Sequence, residues 1–327
     1  MKRPLVRIAM FVHDEERHLR EAVESLLAQT YPHFRLIILD DCSRDRTPHI
    51  CREYAQADPR VSFHRNRRRR GYVANYFKTF ALAEPETDYF AWAAGHDRHH
   101  PQWLEALLAA LEDNPRAVLA WPLTAPIDDN GDPLPGAPVP RYHTAGLDRR
   151  QRIVAHCSHG HGAGHMIYGL FRYPALRRAG VFSRTLLPDQ VLLAKLVMEG
   201  QFVQVPRPLW YRRFDNSHLG TWRLLQRQRR IAFNPPPWYL ALPWPVVNAA
   251  AVLWHTTLRP GAGDWRRRRD GLLLSLLWWD KLLRLAGEGT ARHRALISPA
   301  VWYEALTARL PRRRSTRAPA ARPTQGG

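Results

Sequence analysis

Cysteine is scarce in this 327-residue sequence, which contains three, at Cys42, Cys51 and Cys157. Their odd number and wide spacing exclude a disulfide framework and a C-x-x-C metal knuckle. Cysteine usage of this kind is typical of a reducing compartment, so we expect a cytoplasmic protein.

Long hydrophobic runs are also absent. The apolar segment near the N-terminus is interrupted by Arg7 and is followed by no small-residue cleavage site, so we predict no signal peptide. Residues 233–258 contain no acidic or basic side chain apart from histidine, but five prolines interrupt them. Their proline-free part, 246–258, is shorter than the roughly 20 residues that a membrane span needs.

Acidic residues are in the minority: 29 of them stand against 49 lysines and arginines, which gives a net charge of +20. This excess predicts attraction to nucleic acid, to an acidic membrane leaflet or to a phosphorylated ligand. The arginines gather in the loop 65–71, in the run 266–269 and in the C-terminal tail, without the interleaved aromatic side chains of nucleic-acid-binding surfaces. This distribution favours peripheral contact with an anionic membrane, at the inner face of the plasma membrane, over nucleic-acid binding.

Apolar runs alternate with helical patterns along the first 125 residues. Strands are predicted at 5–12, 34–39, 61–64, 89–94 and 117–121, and helices at 19–27, 47–57, 72–83 and 101–111. The repeated strand–helix order predicts an α/β fold, with a doubly wound, mostly parallel sheet and helices on both faces. In such sheets the ligand lies at the carboxyl ends of the strands.

The remainder of the chain breaks this pattern. A loop is predicted at 124–150, because this segment is rich in proline, glycine and aspartate, and mixed helix and strand at 151–214. An apolar helix is predicted at 272–285, with a narrow polar strip formed by Ser275, Asp280, Lys281 and Arg284.

Carboxylates mark the ends of two predicted strands. Asp41 follows the second strand, where it can bind a base edge or a ribose hydroxyl, or form an ordinary turn before the next helix. Asp97 follows the fourth strand beside His96, and it has the carboxylate oxygens that Mg²⁺ or Mn²⁺ prefers; a helix-capping role is the alternative.

Two further features can carry chemistry. The loop 65–71 contains five arginines, and those near Gly71 are candidates to bind phosphate, although a solvated basic surface has the same composition. Asp189 stands at the start of an apolar helix, where a carboxylate can act as a general base or serve as an ordinary N-cap.

The stretch IAMFVHDEERHLREAVESLLAQTYPHFRLIILDDCSRDRT resembles the opening of family 2 glycosyltransferases, which have the GT-A fold. The similarity continues through Gly71 and Asn75 to Asp97 and returns at LLPDQVLLAKLVMEGQFVQVPRPLWYRRF. It covers roughly residues 5–215. The resemblance implies an inverting transferase that uses a nucleotide-diphospho-sugar donor, a divalent cation (Mn²⁺ or Mg²⁺) and a glycan, lipid-linked or other hydroxyl acceptor.

The resemblance also implies a role for individual residues. Asp189 matches the catalytic base, and Asp97 matches the metal-binding end of the DxD motif. Arg212 and Arg213 lie where a mobile loop often closes over the donor. The residues expected to bind the nucleotide sugar are His13, Asp14, Asp41, Arg70, Asn75 and His96.

This sequence departs from the family pattern at two places. Gly95 and His96 replace the usual acidic residues before Asp97, and the pair His13-Asp14 replaces an aromatic–asparagine pair. Two alternatives therefore stay open: a nucleotidyltransferase on a related fold, or a non-catalytic basic homologue that binds nucleic acid or membrane. The first would need a glycine-rich phosphate loop after the first strand, where this sequence has His13-Asp14-Glu15-Glu16.

Together these observations predict four regions. The first, at 1–125, is a nucleotide-sugar-binding half, and the second, at 126–215, is an acceptor-binding half of the same domain. A mainly helical extension that contacts a membrane surface is predicted at 216–310, and a disordered basic tail at 311–327.

Overall fold

The computed structural model of the chain describes residues 3–83, 86–134, 141–159, 163–185, 187–214 and 244–286. Within them the strands are β1 (Val6–Val12), β2 (Phe34–Asp40), β3 (Val61–Arg65), β4 (Tyr89–Ala94), β5 (Arg98–His99), β6 (Ala117–Ile127), β7 (Leu170–Arg172) and β8 (Gln201–Arg213). The α-helices are α1 (Leu19–Leu27), α2 (Thr47–Ala57), α3 (Tyr72–Ala81), α4 (Trp103–Glu112), α5 (Arg149–His159), α6 (Ala163–Met166), α7 (Tyr173–Ala179), α8 (Pro188–Leu196), α9 (Trp244–Leu253) and α10 (Trp265–Ala286).

All eight strands belong to one sheet with the order β3-β2-β1-β4-β7-β6-β8-β5. Strands β1, β2, β3 and β4 pair in parallel, as do β6 and β8. Only the short strands β5 and β7 run antiparallel to their neighbours. The predicted α/β architecture with a mostly parallel sheet is therefore confirmed.

The first strands and helices form where the sequence pattern predicts them, because burial follows that pattern. Strand β4 is buried along its whole length, as a strand covered on both faces must be. Helix α1 turns the side chains of Leu19, Ala22, Val23 and Leu26 into the core, at the spacing of one helical face. Helices α1 and α2 have the predicted bounds.

The loop predicted at 124–150 is wrong at both ends. Strand β6 continues to Ile127, and α5 already begins at Arg149. The loop was predicted from the proline, glycine and aspartate of 124–150, but β6 pairs with β8 past Pro122 and Pro126, with register shifts on either side of Leu123. Irregularities of this kind let proline remain within a strand.

Strand β7 was not predicted individually, since it lies within the segment 151–214 that was predicted only as mixed helix and strand. It enters the sheet between β4 and β6, and Gly169 directly precedes it. A Cβ atom on Gly169 would lie 2.4 Å from the carbonyl oxygen of Ala120, so only glycine lets the chain approach β6 this closely.

The C-terminal helices pack on the α/β domain through α10. Trp278 is fully buried and its ring stacks on His156 of α5, with 5.8 Å between the ring centroids. The polar strip identified in the sequence is largely buried too, since Ser275, Asp280 and Lys281 each expose less than a tenth of their surface. The Nζ of Lys281 donates a hydrogen bond to the carbonyl oxygen of His156 (3.3 Å).

The predicted halves, extension and tail differ in how much of each the structure describes. Strand β6 runs through residue 125, so the two predicted halves share one sheet. The described part of the predicted extension is helical, and none of the described helices combines the length and apolar character needed to cross a bilayer. Residues 216–243 and 287–327, which include the predicted basic tail, lie outside the described residues.

Because Trp278 is fully buried between α5 and α10, we predict that Trp278→Ala lowers the free energy of unfolding by about 3–5 kcal/mol. The matched control is Trp265→Ala on the same helix, where the side chain is 65% exposed and little stability is lost. Urea denaturation measures both. An equal, small loss in the two variants would contradict the packing of α10 on the domain.

Candidate functional site

The loops after β1 and β2 are fastened to each other at the carboxyl edge of the sheet. Asp14, which has a left-handed backbone (φ 54°), donates its N–H to the Oγ of Ser43 (2.9 Å). Its carboxylate accepts the N–H of Arg44 (2.9 Å) and lies 3.4 Å from the Nε2 of His13. The two residues predicted to line the base pocket therefore lie side by side at this edge.

Asp41 holds the loop that leads into α3. Its Oδ1 accepts the N–H of Arg70 and the amide of Asn66, each at 2.8 Å, and its Oδ2 accepts the N–H of Gly71 (2.9 Å). Gly71 has φ 86°, a conformation that favours glycine. The role of Asp41 toward a nucleotide base stays a prediction. Its observed role is to fix the loop that leads into α3.

Asn75 lies behind this loop in the first turn of α3. Its side-chain oxygen accepts the amide of Asn66 (2.8 Å), and the Nζ of Lys78 donates to the Asn66 oxygen (2.7 Å). The Nδ2 of Asn75 is buried and has no hydrogen-bond partner among the described residues. A buried amide donor without a partner costs stability.

The arginine loop divides into a bound part and an exposed part. Arg65 lies 2.8 Å from the Oδ2 of Asp40 and donates to the carbonyl oxygen of Ser43 (2.7 Å). The side chains of residues 67–70 are exposed. Arg70 thus lies at the edge of the site, with its backbone fixed by Asp41 and its guanidinium toward solvent.

His96 forms an ion pair that spans the ends of β1 and β4. Its Nδ1 lies 3.0 Å from the carboxylate of Glu15, and its ring is 43% exposed. Burial opposes the charge of the imidazolium, but the hydrogen bond to Glu15 and the charges of Asp97 and Glu15 outweigh it and raise the pKa of His96 to about 9. Sequence reasoning missed Glu15, since only the pairing of β1 with β4 brings it to His96.

Asp97 is buried and already bound by the protein. Its Oδ1 accepts the N–H of Arg213 (2.8 Å), and its Oδ2 accepts the indole N–H of Trp210 (3.1 Å). Burial raises the pKa of this carboxyl, although His96 and these hydrogen bonds oppose the shift. Asp97 therefore anchors the end of β8.

Arg213 is a clamp, and its predicted place in a mobile loop is wrong. It is the last residue of β8 and its side chain is 5% exposed. Its guanidinium donates to the carbonyl oxygen of His96 (2.9 Å), to those of Asp128 and Asp129 (both 2.8 Å) and to the carboxylate of Glu21 (2.6 Å). Each side-chain nitrogen is used, because helix α1 and the loops after β4 and β6 meet at this residue.

Arg212 also lies in β8 and not in a loop, but its guanidinium has a different environment. It stacks on the ring of Phe214 (4.8 Å to the centroid) and on that of Trp210 (5.6 Å). The structure gives it no hydrogen bond or ion pair with a described residue. Its charge lowers the pKa of Asp189, which therefore lies within its electrostatic reach.

Asp189 lies in the first turn of α8, directly after Pro188 and Leu187, which has a left-handed backbone (φ 50°). The N-cap position belongs to Leu187, so the alternative of an ordinary N-cap is wrong. The side chain is half-buried, and burial raises the pKa of its carboxyl, while the backbone hydrogen bond with Gln190 opposes the shift. A carboxylate with a raised pKa is suited to accept a proton.

Three tyrosines lie close enough to feel the charge of Asp189: Tyr72, Tyr76 and Tyr168. The hydroxyls of Tyr76 and Tyr168 are 3.3 Å apart, and the ring of Tyr168 lies 5.0 Å from that of Trp210. Asp189 therefore lies near a group of aromatic rings that extends to Trp210 of β8.

A divalent cation fits the described residues poorly. Both oxygens of Asp97 accept N–H groups, and Glu15 is paired with His96. Within the described ranges no group of three histidine, cysteine, aspartate or glutamate side chains is arranged to hold a metal ion. Hard cations need several accessible oxygen ligands, whereas Asp41 and Asp97 at this edge are only 3% and 2% exposed.

Comparisons with known proteins identify the domain. Residues 8–168 match the family model described as Glycosyl transferase family 2. An uncharacterised glycosyltransferase of Methanocaldococcus jannaschii is 32% identical over 136 residues, which are 41% of this chain and 46% of that relative. This chain spans less than half the length of the first curated relatives that it matches.

Two solved structures share the fold. TarS residues 1–349 of S. aureus, in complex with UDP-GlcNAc, aligns with a TM-score of 0.59 at 13% identity, over 85% of this chain and 72% of that chain. The mannosyltransferase PcManGT of Pyrobaculum calidifontis, in complex with GDP-Man and Mn²⁺, aligns with a TM-score of 0.53 at 17% identity, over 87% and 86%. At these identities the likeness shows the fold alone, which is the GT-A fold.

The ion pair between Glu15 and His96 makes stability depend on pH. A histidine whose pKa rises from 6.5 to about 9 on folding adds stability that is complete below pH 6.5 and is lost as the pH rises through 9. We predict that Glu15→Gln lowers the free energy of unfolding most at pH 6 and least above pH 9.

Glu16→Gln is the matched control, since Glu16 is the exposed neighbour and accepts only the N–H of Arg46. Urea denaturation across this pH range gives the stabilities, and the NMR titration of His96 gives its pKa directly. A titration midpoint near 6.5 in the unmodified chain would contradict the ion pair.

Proposed function

Because this chain belongs to glycosyltransferase family 2 through residues 8–168, we propose that it transfers a sugar from a nucleotide-diphospho-sugar to an acceptor hydroxyl, with inversion at the anomeric carbon. The observation that carries the proposal is the position of Asp189. This carboxylate has a raised pKa, no described basic partner in hydrogen-bond contact, and lies in the electrostatic field of Arg212 at the carboxyl edge of the sheet.

In the proposed reaction Asp189 accepts the proton of the acceptor hydroxyl. The acceptor oxygen forms a bond to the anomeric carbon, while the bond from that carbon to the donor phosphate oxygen breaks. The electron pair of the broken bond leaves with the nucleoside diphosphate. A single displacement from the opposite side inverts the configuration, and a raised pKa brings the base closer to the operating pH.

The donor is proposed to bind along the ends of β1, β2 and β4. His13, Asp14 and Asp41 border the part of the edge assigned to the base and ribose. The unpartnered amide of Asn75 and the exposed guanidinium of Arg70 are the polar groups assigned to the sugar and phosphate. The structural neighbours bound UDP-GlcNAc and GDP-Man, which supports this class of donor.

Metal assistance is the part of the expected mechanism that this proposal leaves out. The resemblance implies it, and PcManGT was solved with Mn²⁺. The oxygens of Asp97, however, are engaged with Trp210 and Arg213, so no step is assigned to a cation at this residue.

The proposed acceptor is a hydroxyl of a glycan or of a lipid-linked molecule, presented at an anionic membrane surface. Support for a surface partner comes from the exposed apolar side chains of the C-terminal helices. Trp265, Leu272 and Leu276 recur on one side of α10 and are 65%, 46% and 50% exposed. The exposed guanidinium groups of Arg266 and Arg269 lie over the ring of Trp265.

Such a surface matches the interfacial region of a bilayer. Apolar side chains gain by leaving water, tryptophan favours the headgroup level, and arginine pairs with anionic lipids. Trp254 and Leu258, in the π-helical turn that contacts α10, add two more exposed apolar groups. We name this surface, formed by Trp254, Leu258, Trp265, Leu272 and Leu276, the apolar face.

We predict that Asp189→Asn lowers the rate of sugar transfer at least about 100-fold, because the general base is lost while the side-chain volume is kept. The affinity for the nucleotide and the unfolding midpoint should stay close to those of the unmodified chain. Initial rates with a panel of nucleotide sugars and acceptors measure the effect.

The matched control for Asp189→Asn is Asp148→Asn, an exposed carboxylate at the start of α5 whose Oδ1 accepts the N–H of Gln151. Its rate should match the unmodified chain. Unchanged turnover in Asp189→Asn would sink the assignment of the base.

For the apolar face we predict that the triple variant Trp265→Ser, Leu272→Ser, Leu276→Ser abolishes sedimentation with phosphatidylglycerol vesicles. Vesicles of phosphatidylcholine alone should bind the unmodified chain much more weakly, because they carry no net charge. Deletion of α10 is unsuitable, since Trp278 and its neighbours form part of the core.

Arg207→Ala serves as the control for the apolar face, because Arg207 is an exposed residue of β8, outside the C-terminal helices. It should leave vesicle binding unchanged. If the unmodified chain does not sediment with anionic vesicles at low salt, the membrane surface is not a partner.

A further inference from the structure

A nucleoside diphosphate that leaves a sugar carries several negative charges, and the enzyme must offset them at the edge of the sheet. This requirement follows from the proposed function, on which the inference below rests. Bound metal ions and fixed cationic side chains are two of the means by which proteins stabilise developing phosphate charge. The described residues allow these two solutions to be compared.

Carboxylates at this edge are already occupied by N–H groups of the protein. Asp97 uses one oxygen for Arg213 and the other for Trp210, and it is 2% exposed. Asp41 likewise uses both oxygens, for the loop that enters α3. Both carboxylates are also almost fully covered by the protein, so a metal ion could reach either of them only if the surrounding strand or loop moved.

Positions next to Asp97 cannot readily supply a second carboxylate. A Cβ atom on Gly95 would lie 2.6 Å from the Cγ1 of Val12, so this position accepts no side chain unless the side chain of Val12 is displaced. His96 follows, and its Nδ1 is bound to Glu15. The chain therefore presents an imidazole where an additional acidic ligand would help to hold a cation.

Arg212 supplies a permanent positive charge at the same place. Residues 210 and 212 share one face of β8, and Trp210 is the residue whose indole binds Asp97. The guanidinium of Arg212 is held between the rings of Trp210 and Phe214. Stacking of this kind fixes the plane of the group while leaving its N–H donors free.

The space around this guanidinium is kept open by glycine. A Cβ atom on Gly164 would lie 3.6 Å from both terminal nitrogens of Arg212, so a larger side chain there would cover them. Among the described residues the group has ring contacts but no acceptor. Its fork of N–H donors matches two phosphate oxygens at once.

We propose that Arg212, beside His96, binds the diphosphate of the donor in place of a divalent cation, so that this chain binds nucleoside diphosphates without metal. Arg212 is then a binding residue for the leaving group, whereas Arg213 positions β8. The two neighbouring arginines have different roles because alternate residues of a strand point to opposite faces.

Isothermal titration calorimetry of the full chain with UDP, GDP, ADP and dTDP tests this proposal. Each nucleotide is titrated once with EDTA and once with MnCl₂. We expect at least one nucleotide to bind, with dissociation constants that differ less than about threefold between the two conditions. Arg212→Ala should weaken that binding about 10- to 100-fold in EDTA, the range for a charge-assisted contact to phosphate.

Two variants separate the role of Arg212 from a general effect of charge. Arg212→Lys keeps the charge but loses the planar fork, so its affinity should lie between those of the unmodified chain and Arg212→Ala. Arg207→Ala removes an exposed arginine of the same strand, bound to Gln102, and should leave the affinity unchanged. Thermal unfolding checks that each variant is folded.

The outcomes distinguish this inference from the proposed function. Binding that appears with MnCl₂ and disappears in EDTA overturns the metal-free site but leaves the glycosyltransferase proposal intact. Equal affinity in Arg212→Ala and the unmodified chain overturns the role of Arg212. If no nucleotide binds with or without MnCl₂, the proposed function itself fails, and the inference fails with it.

Discussion

The candidate site depends on one buried cation, the guanidinium of Arg213. It joins the end of β8 to Glu21 of α1, to the carbonyl group of His96 after β4 and to the loop after β6. These segments are far apart in sequence, and a buried charge is tolerated only when its donors are all satisfied. The clamp thereby fixes the strand that carries Arg212 and Trp210 against Asp97.

The polar groups at the carboxyl edge fall into two sets. One set, which includes Asp41 and Asp97, forms hydrogen bonds to loops and strands of the protein and makes this edge rigid. The other set keeps donors or acceptors free: Arg212, Asp189 and the amide of Asn75. Rigid support for a few free groups is what a transfer site requires, since a small displacement of a reacting group lowers the rate strongly.

Local sequence patterns predicted β1 to β4, the first part of β6 and the helices α1 and α2, because their burial follows one period over many residues. They missed β7, which has three residues, and the continuation of β6 past two prolines, because both depend on pairing with distant strands. The same limit applies to the site. The sequence indicated Asp189 as a candidate site residue, because it stands at the start of a helix. The partners of Glu15 and Arg213 could not be predicted, because they depend on the order of the strands in the sheet.

The central claim is that a nucleotide sugar binds at the ends of β1 and β2, and Cys42 beside Asp41 is a natural reporter of it. Cys42 is half-buried, whereas the other two cysteines, Cys51 and Cys157, are buried. The account predicts that a bound nucleoside diphosphate at ten times its dissociation constant slows the alkylation of Cys42 by iodoacetamide about tenfold. An unchanged rate, with a nucleotide that calorimetry shows to be bound, would contradict it.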